Sequence, residues 1–119
     1  MIEITIPEVV IPYVRMTQRS KYVDPRAIAY LSNQQTLKWW MRQAMEAGDY
    51  KKFGKVSLAV ELIFYVKKKH VSDIDNLCKN MLDSAKGIIY VDDRWIDALN
   101  VVRTLSKEPS VTMRIRELC

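Results

Sequence analysis

Five aspartates are concentrated in the C-terminal half of this chain. Asp73 and Asp75 are followed by Asp83 and then by the adjacent pair Asp92 and Asp93. Carboxylates held close together raise one another's pKa through like-charge repulsion, and a bound divalent cation removes that cost. The cluster is therefore a candidate Mg²⁺ or Mn²⁺ site, and an ion of this kind can activate water for hydrolysis.

The distribution of charge separates this cluster from the rest of the chain. Residues 10–72 contain 12 Lys and Arg against 4 Asp and Glu, whereas residues 73–119 contain 7 against 8. The formal net charge is +5. A basic excess favours a polyanionic partner, and nucleic acid is the leading candidate.

Each group of acidic residues also has an ordinary structural explanation. Asp73 and Asp75 lie at the start of a predicted helix, where carboxylates cap the N-terminus and favour the helix dipole. Lys79 lies one turn from Asp75 and one turn from Asp83, which is the spacing of a surface ladder of charge pairs. The acidic pair that follows consists of common turn formers. The residues alone leave both interpretations open.

Two helices are expected to position these side chains. The first begins at Asp24, an N-cap followed by Pro25 in the first turn, and its apolar stripe ends near Gly48. The second begins with an S-x-x-D capping box at residues 72–75 and stops at Gly87. Its apolar stripe predicts a face that packs against a sheet.

Alternating apolar residues predict the strands of that sheet. The clearest segment is 56–66, whose second face carries Ala59, Ile63 and Tyr65, so a helix or a partner subunit is expected to cover it. The other predicted strands are 2–6, 88–91, 98–105 and 111–118. At 119 residues the chain is too short for two independent cores. The prediction is one compact α+β domain over residues 1–119, with a small mixed sheet packed on two main helices.

Composition excludes several other classes of protein. The chain is 49% hydrophobic and 28% charged, which is typical of a globular domain. Its two cysteines, Cys78 and Cys119, and its one histidine cannot form a disulfide framework or a four-ligand zinc site. The longest apolar run is too short to span a bilayer, and no signal-peptide pattern is present. A cytoplasmic protein without membrane association is expected, with Cys78 as a buried, inert thiol.

Two basic segments are candidate surfaces for DNA. One is the irregular loop at 8–23, and the other directly precedes the acidic motif. The predicted DNA-binding residues are Arg15, Arg19, Lys21, Lys67, Lys68 and Lys69. A solvated loop is the alternative for the segment of Lys67, Lys68 and Lys69. Trp39, Trp40 and Trp95 could stack on bases, although packing is the expected role, and His70 stays outside the catalytic set.

The segment DIDNLCKNMLDSAKGIIYVDDRWI, residues 73–96, closely resembles the signature of the RusA family of Holliday junction resolvases. The shared features are D-x-D-N-L-x-K, then L-D, a glycine and an Asp-Asp pair. This resemblance implies a small homodimeric endodeoxyribonuclease that depends on Mg²⁺, with Mn²⁺ as a substitute. It also implies resolution of four-way DNA junctions by symmetric paired nicks, in DNA recombination and repair.

The resemblance also implies roles for individual residues. The family's catalytic positions fall on Asp73, Asp75, Lys79 and Asp93. The three aspartates are the implied metal ligands, and Asp92 is a weaker match, either an alternative ligand or a support for one. Lys79 would hold the scissile phosphate or aid its transition state. Segment 12–30 is less closely similar to the family's basic loop and following helix. This similarity makes Arg15 and Tyr30 further candidate functional residues.

Two other functions remain open from the sequence. One is a catalytically silent DNA-binding dimer of the same fold, and the other is a nuclease for different branched DNA. The presence of every acidic motif position and of Lys79 argues against a silent protein. Substrate choice cannot be read from a sequence of this kind, because function depends on the site rather than on the fold.

Overall fold

The chain forms one mixed four-stranded sheet with its two long helices on one face. A computed structural model describes residues 1–17, 19–70 and 72–118. The elements are β1 (Ile2–Ile6), α1 (Ser20–Val23), α2 (Pro25–Ala47), β2 (Leu58–Val66), α3 (Ile74–Ala85), a 3₁₀ turn (Asp93–Trp95), β3 (Ile96–Leu105) and β4 (Ser110–Glu117). The strand order is β1-β4-β2-β3, in which only the β2–β3 pair is parallel. The predicted α+β class, mixed sheet and two main helices are confirmed.

One face of the sheet forms the core with α2 and α3. Alternate side chains of three strands are buried on this face, as the period-two patterns predict. These side chains are Ile2, Ile4, Ile6, Leu58, Val60, Leu62, Phe64, Val111, Met113 and Ile115. The helices add Leu37 and Met41 from α2, and Leu77 and Met81 from α3. Burial of this apolar surface fixes the helices against the sheet.

The two helices begin in different ways. Asp24 caps α2 as predicted, since its carboxylate accepts a hydrogen bond from the Arg26 amide at 2.9 Å. The N-cap of α3 is Asp73, which makes no side-chain capping bond, so the predicted capping box is wrong. Ser72 lies before that cap, and its carbonyl oxygen accepts a hydrogen bond from Arg103 at 2.6 Å. No helix in the described residues combines the length and apolar character needed to cross a membrane.

Two predicted strands also differ from the structure. β2 begins at Leu58 rather than at residue 56, because Val56 lies in a turn in which its amide bonds to the Gly54 carbonyl. Residues 88–91 form no strand. Gly87 has φ +82°, so the chain turns there, and Tyr90 joins its neighbours only through isolated bridges. Burial of Ile89 and Tyr90 in the core explains the apolar run that suggested a strand.

The second face of the sheet is open. Glu3, Arg114, Glu61 and Asn100 lie side by side across all four strands, with Arg114 paired to both glutamates. The apolar side chains of β2 on this face, all half-buried, are Ala59, Ile63 and Tyr65. Since α2 and α3 pack on the opposite face, the expected cover by a helix is wrong. Cover by a partner subunit stays a prediction.

Candidate active site

A shallow hollow brings together side chains from α3 and from the 3₁₀ turn. It has a volume of about 350 Å³ and is lined by Asp75, Lys79, Asp83 and Asp93, with Cys78 and Leu82 below them. The three α3 residues are four positions apart, which places them in one row on the helix surface. Asp93 arrives from the 3₁₀ turn beyond the end of α3. The structure therefore joins the helical row to the acidic pair.

Asp73 lies on a second hollow that adjoins the first at Asp75. This second hollow, of about 390 Å³, is lined by Asp73, Asp75, His70 and Arg103 together with Ser72 and Ile74. Asp75 is the residue that borders both hollows. Asp73 and Asp75 thus share one space, Asp75 and Asp93 share the other, and Asp75 is the central carboxylate of the predicted site.

The residues present fit a magnesium ion by their chemistry. In residues 1–17, 19–70 and 72–118, no three His, Cys, Asp or Glu side chains converge as a preformed metal cage. Mg²⁺ usually retains several water molecules and takes only one or two carboxylates from the protein. Asp75 and Asp93, which line the same hollow, meet that requirement. Asp73 has a carboxylate that its capping position does not use.

The acidic pair is held by two basic side chains. Lys86 Nζ lies 3.7 Å from Asp93 Oδ1 and 3.8 Å from Asp92 Oδ1, and Arg94 Nε lies 3.2 Å from Asp92 Oδ2. Burial raises the pKa of the Asp93 carboxyl, and the adjacent Asp92 raises it further. A hydrogen bond from Asp93 instead lowers the pKa of Asp92. Asp92 is therefore paired with both Lys86 and Arg94, whereas Asp93 is paired with Lys86 and also lines the hollow.

Lys79 does not behave as a member of a charge ladder. In the described part of the chain it has no ion pair with Asp75 or Asp83, and its Nζ lies 4.1 Å from the centroid of the Tyr13 ring. Tyr13 in turn meets Tyr30 edge to face, with centroids 5.6 Å apart. Burial raises the pKa of Tyr30 to about 12, so this phenol stays neutral and serves as packing. The ammonium group of Lys79 remains available to an anion in the hollow.

A buried amide network fixes the N-terminal loop to α3. Asn80 is fully buried, and its Nδ2 donates to the Ile11 carbonyl at 2.8 Å and to Asn33 Oδ1 at 2.9 Å. Its Oδ1 accepts from the Ser84 hydroxyl at 3.1 Å. Asn33 of α2 also binds the loop, accepting from the Ile11 amide and donating to the Val9 carbonyl. The loop that carries Tyr13 is thereby held in place beside Lys79.

Asn80→Ala is expected to destabilise the fold by about 2 to 4 kcal/mol, because it leaves the Ile11 carbonyl and the Ser84 hydroxyl without their buried partner. Urea denaturation measures the change. Asn100→Ala, which removes an exposed amide on the open face of the sheet, is the control and should cost less than about 1 kcal/mol. Equal losses in the two variants would contradict a positioning role for Asn80.

The predicted DNA-binding residues lie in two exposed places. Arg15 and Arg19 are exposed in the loop before α1, and Lys21 lies in α1 and is half-buried. Lys67, Lys68 and Lys69 are all exposed directly after β2. Their side chains are accessible to a polyanion, as expected for phosphate contacts.

Two of the three tryptophans pack against the core. Trp40 packs against the core and donates a hydrogen bond from Nε1 to Glu8 at 3.1 Å, and Trp95 also packs against the core. Trp39 stays about half exposed and meets Trp40 edge to face. Cys78 is buried as predicted, and burial raises the pKa of its thiol; Cys119 lies outside the described residues.

The sequence of residues 10–116 matches the family model described as endodeoxyribonuclease RusA. The chain belongs to this family. The resemblance seen in residues 73–96 is therefore confirmed, and the match supports nuclease activity. Among curated proteins, no sequence matches the chain.

Several residues of this RusA site are not indicated by the sequence pattern. Lys86 neutralises the acidic pair, Tyr13 underlies Lys79, and Arg103 lines the hollow of Asp73 from β3. Lys86 could have been suspected because it stands six positions before the pair. Tyr13 and Arg103 reach α3 from distant parts of the chain, and no local spacing indicates such contacts.

Proposed function

We propose that this chain is a divalent-metal-dependent resolvase that cuts Holliday junctions by symmetric paired nicks in DNA recombination and repair. The observation that carries the proposal is the shared hollow of Asp75, Lys79 and Asp93 in a chain of the RusA family. RusA-family nucleases resolve Holliday junctions, which gives the substrate class. Exposed basic segments suit a DNA partner, and we place the reaction in the cytoplasm.

The proposed catalytic residues are Asp73, Asp75, Lys79 and Asp93. Asp75 and Asp93, which line one hollow, would hold the metal, and Asp73 would add a third carboxylate from the adjoining hollow. When bound, Mg²⁺ neutralises charge on the phosphoryl oxygens and activates water. Mn²⁺ can replace it because carboxylate ligands suit both ions.

The other charged groups of the site have different proposed roles. Lys79, which has no carboxylate partner among the described residues, holds the scissile phosphate. Asp92 supports Asp93 through Lys86 rather than binding metal itself. Lys86 thus supplies a positive charge that limits the repulsion within the acidic pair.

The basic residues after β2 give a separate prediction. Changing Lys67, Lys68 and Lys69 together to Gln should weaken junction binding and flatten the slope of log affinity against log salt by up to about 0.9 per lost phosphate contact. Protein stability should hardly change, because all three side chains are exposed. Fluorescence anisotropy at several salt concentrations measures the slope.

Arg42→Gln serves as the control for that experiment, since Arg42 is exposed on α2 and lines neither hollow. The slope of log affinity against log salt for Arg42→Gln should equal that of the unmodified protein. If the triple variant also keeps the full slope, the segment after β2 does not contact DNA.

A homodimer is part of the proposal. β3 is an edge strand whose outer side pairs with no other strand of the described chain. It exposes Leu99, Val102 and Leu105 by 44 to 59%. A second copy packed along this edge would bury these side chains, and two-fold pairing is the commonest form of small oligomer.

The test of this function is cleavage of labelled four-way, flap and linear DNA by the purified chain in Mg²⁺. Paired, symmetric nicks confined to the four-way junction are expected. Binding without cleavage would indicate a silent DNA-binding dimer, and preferential cutting of flaps would indicate a nuclease for other branched DNA. Either outcome would overturn the proposal.

A further inference from the structure

An apolar cavity of about 460 Å³ lies at one end of the sheet, next to the hollow that contains Asp73 and Asp75. Its walls come from residues 9–12 after β1, from 64–68 at the end of β2, and from 109–110 at the start of β4. These segments meet because Phe64 pairs in register with Val111, which also pairs with Ile6. The strand ends therefore define the shape of the cavity.

The interior and the mouth of the cavity differ in chemistry. Phe64 and Leu77, both buried, form part of its lining together with the Pro12 and Pro109 rings. Three cationic side chains also line it, and they are Lys67, Lys68 and Arg103. The two lysines are exposed to solvent. A ligand with a flat apolar part and adjacent negative charges matches both features.

The cavity shares part of its wall with the hollow that contains Asp73 and Asp75. Ser72 and Arg103 line both spaces. The Arg103 guanidinium donates to the Ser72 carbonyl at 2.6 Å, which fixes this common wall. A DNA strand whose phosphate lies in the hollow would therefore pass the mouth of the cavity within a few nucleotides.

We propose that this cavity binds one unstacked nucleobase of the DNA strand that is cut, while the phosphates beside that base contact Lys67, Lys68 and Arg103. The inference rests on the proposed function, because it supplies a subsite to the same nuclease. A nucleobase is flat and apolar on its faces, and the phosphates flanking it carry the charge that the mouth of the cavity attracts. The free energy cost of extruding a base from the stack is lowest where the base is already unpaired.

The cavity can be filled from its rim without touching the catalytic residues. Val9 lines the cavity and is 56% exposed, so Val9→Trp adds an indole at the opening. Ile28→Trp makes a comparable change on α2, where the side chain is 47% exposed and lies outside the cavity. Pro109→Trp fills the cavity from the segment that leads into β4 and serves as a second variant if Val9→Trp fails to fold by circular dichroism.

The experiment uses DNA with single 2-aminopurine substitutions, in Ca²⁺ to prevent cleavage, as a four-way junction and as a six-nucleotide single strand. One position near the branch point should change its fluorescence several-fold on binding the unmodified chain. Val9→Trp should abolish this signal and weaken junction binding by about tenfold, within the range for loss of one stacked base, whereas Ile28→Trp should do neither.

The two DNA forms separate this inference from the proposed function. A signal sensitive to Val9→Trp on either DNA supports the base pocket, even if the chain fails to cut junctions in Mg²⁺. The pocket is overturned if the chain cuts junctions but no 2-aminopurine position responds. It is also overturned if every response survives both filled-cavity variants, as would occur if the cavity holds a peptide or an apolar small molecule instead.

Discussion

Asp75→Asn is expected to reduce cleavage of a four-way junction in Mg²⁺ by at least about a thousandfold, because loss of a metal-ligand charge removes several kcal/mol of transition-state stabilisation. Asp75 is the residue that borders both hollows, so no neighbouring carboxylate reaches both spaces in its place. The substitution keeps an oxygen for the bond that Asp75 Oδ1 accepts from the Asn76 amide at 3.0 Å. Junction binding should persist, since the substitution removes a negative charge that repels the DNA phosphates.

Single-turnover cleavage and anisotropy binding measure the two effects separately. Asp49→Asn is the matched control, because Asp49 is exposed, lies outside both hollows and has φ +51°, a backbone conformation that Asn tolerates. Asp49→Asn should cut the four-way junction at the same rate as the unmodified protein. Wild-type cleavage by Asp75→Asn would show that Asp75 is not catalytic.

The sequence predicts those parts of the fold that depend on interactions between residues close together in the chain. The Asp24 cap and the strict alternation of β2 each need only neighbouring residues, and both are present. The strand predicted at 88–91 is wrong, because a short run of buried apolar residues has the same sequence pattern in a strand and in a buried turn. The capping box at residues 72–75 is wrong because Asp73 is the cap, and the Ser72 carbonyl instead accepts a hydrogen bond from Arg103, a residue that is distant in the sequence.

The same distinction applies to the candidate site. The row of Asp75, Lys79 and Asp83 follows from helical spacing, and the structure places these residues on one hollow. The contact of Lys79 with Tyr13 and the burial of Asn80 depend on the path of the N-terminal loop, which has no regular period. Contacts between distant parts of the chain therefore determine that Lys79 is available to a phosphate, whereas Lys86 pairs with Asp92 and Asp93.

The proposed two-fold dimer has a direct consequence for cleavage. Each subunit would carry its own Asp73, Asp75, Lys79 and Asp93, and a four-way junction presents two symmetry-related strands. If each active site serves one strand, inactivating one subunit should remove one of the two nicks and leave the other. A supercoiled plasmid with an extruded cruciform reports this directly, since paired nicks give a linear product and a single nick gives a nicked circle.

A dimer of one unmodified and one Asp75→Asn subunit, purified through two different affinity tags, should therefore bind the cruciform normally and convert it to nicked circles. The expected yield of linear product is at least about tenfold below that of the unmodified dimer, because one of its two centres lacks a metal-ligand charge. A mixed dimer with Asp49→Asn in the second subunit should still give linear product, which controls for the tags and for subunit exchange. Linear product from the Asp75→Asn mixed dimer would mean that one active site cuts both strands, and sedimentation of the unmodified chain as a monomer at the assay concentration would refute the two-fold arrangement itself.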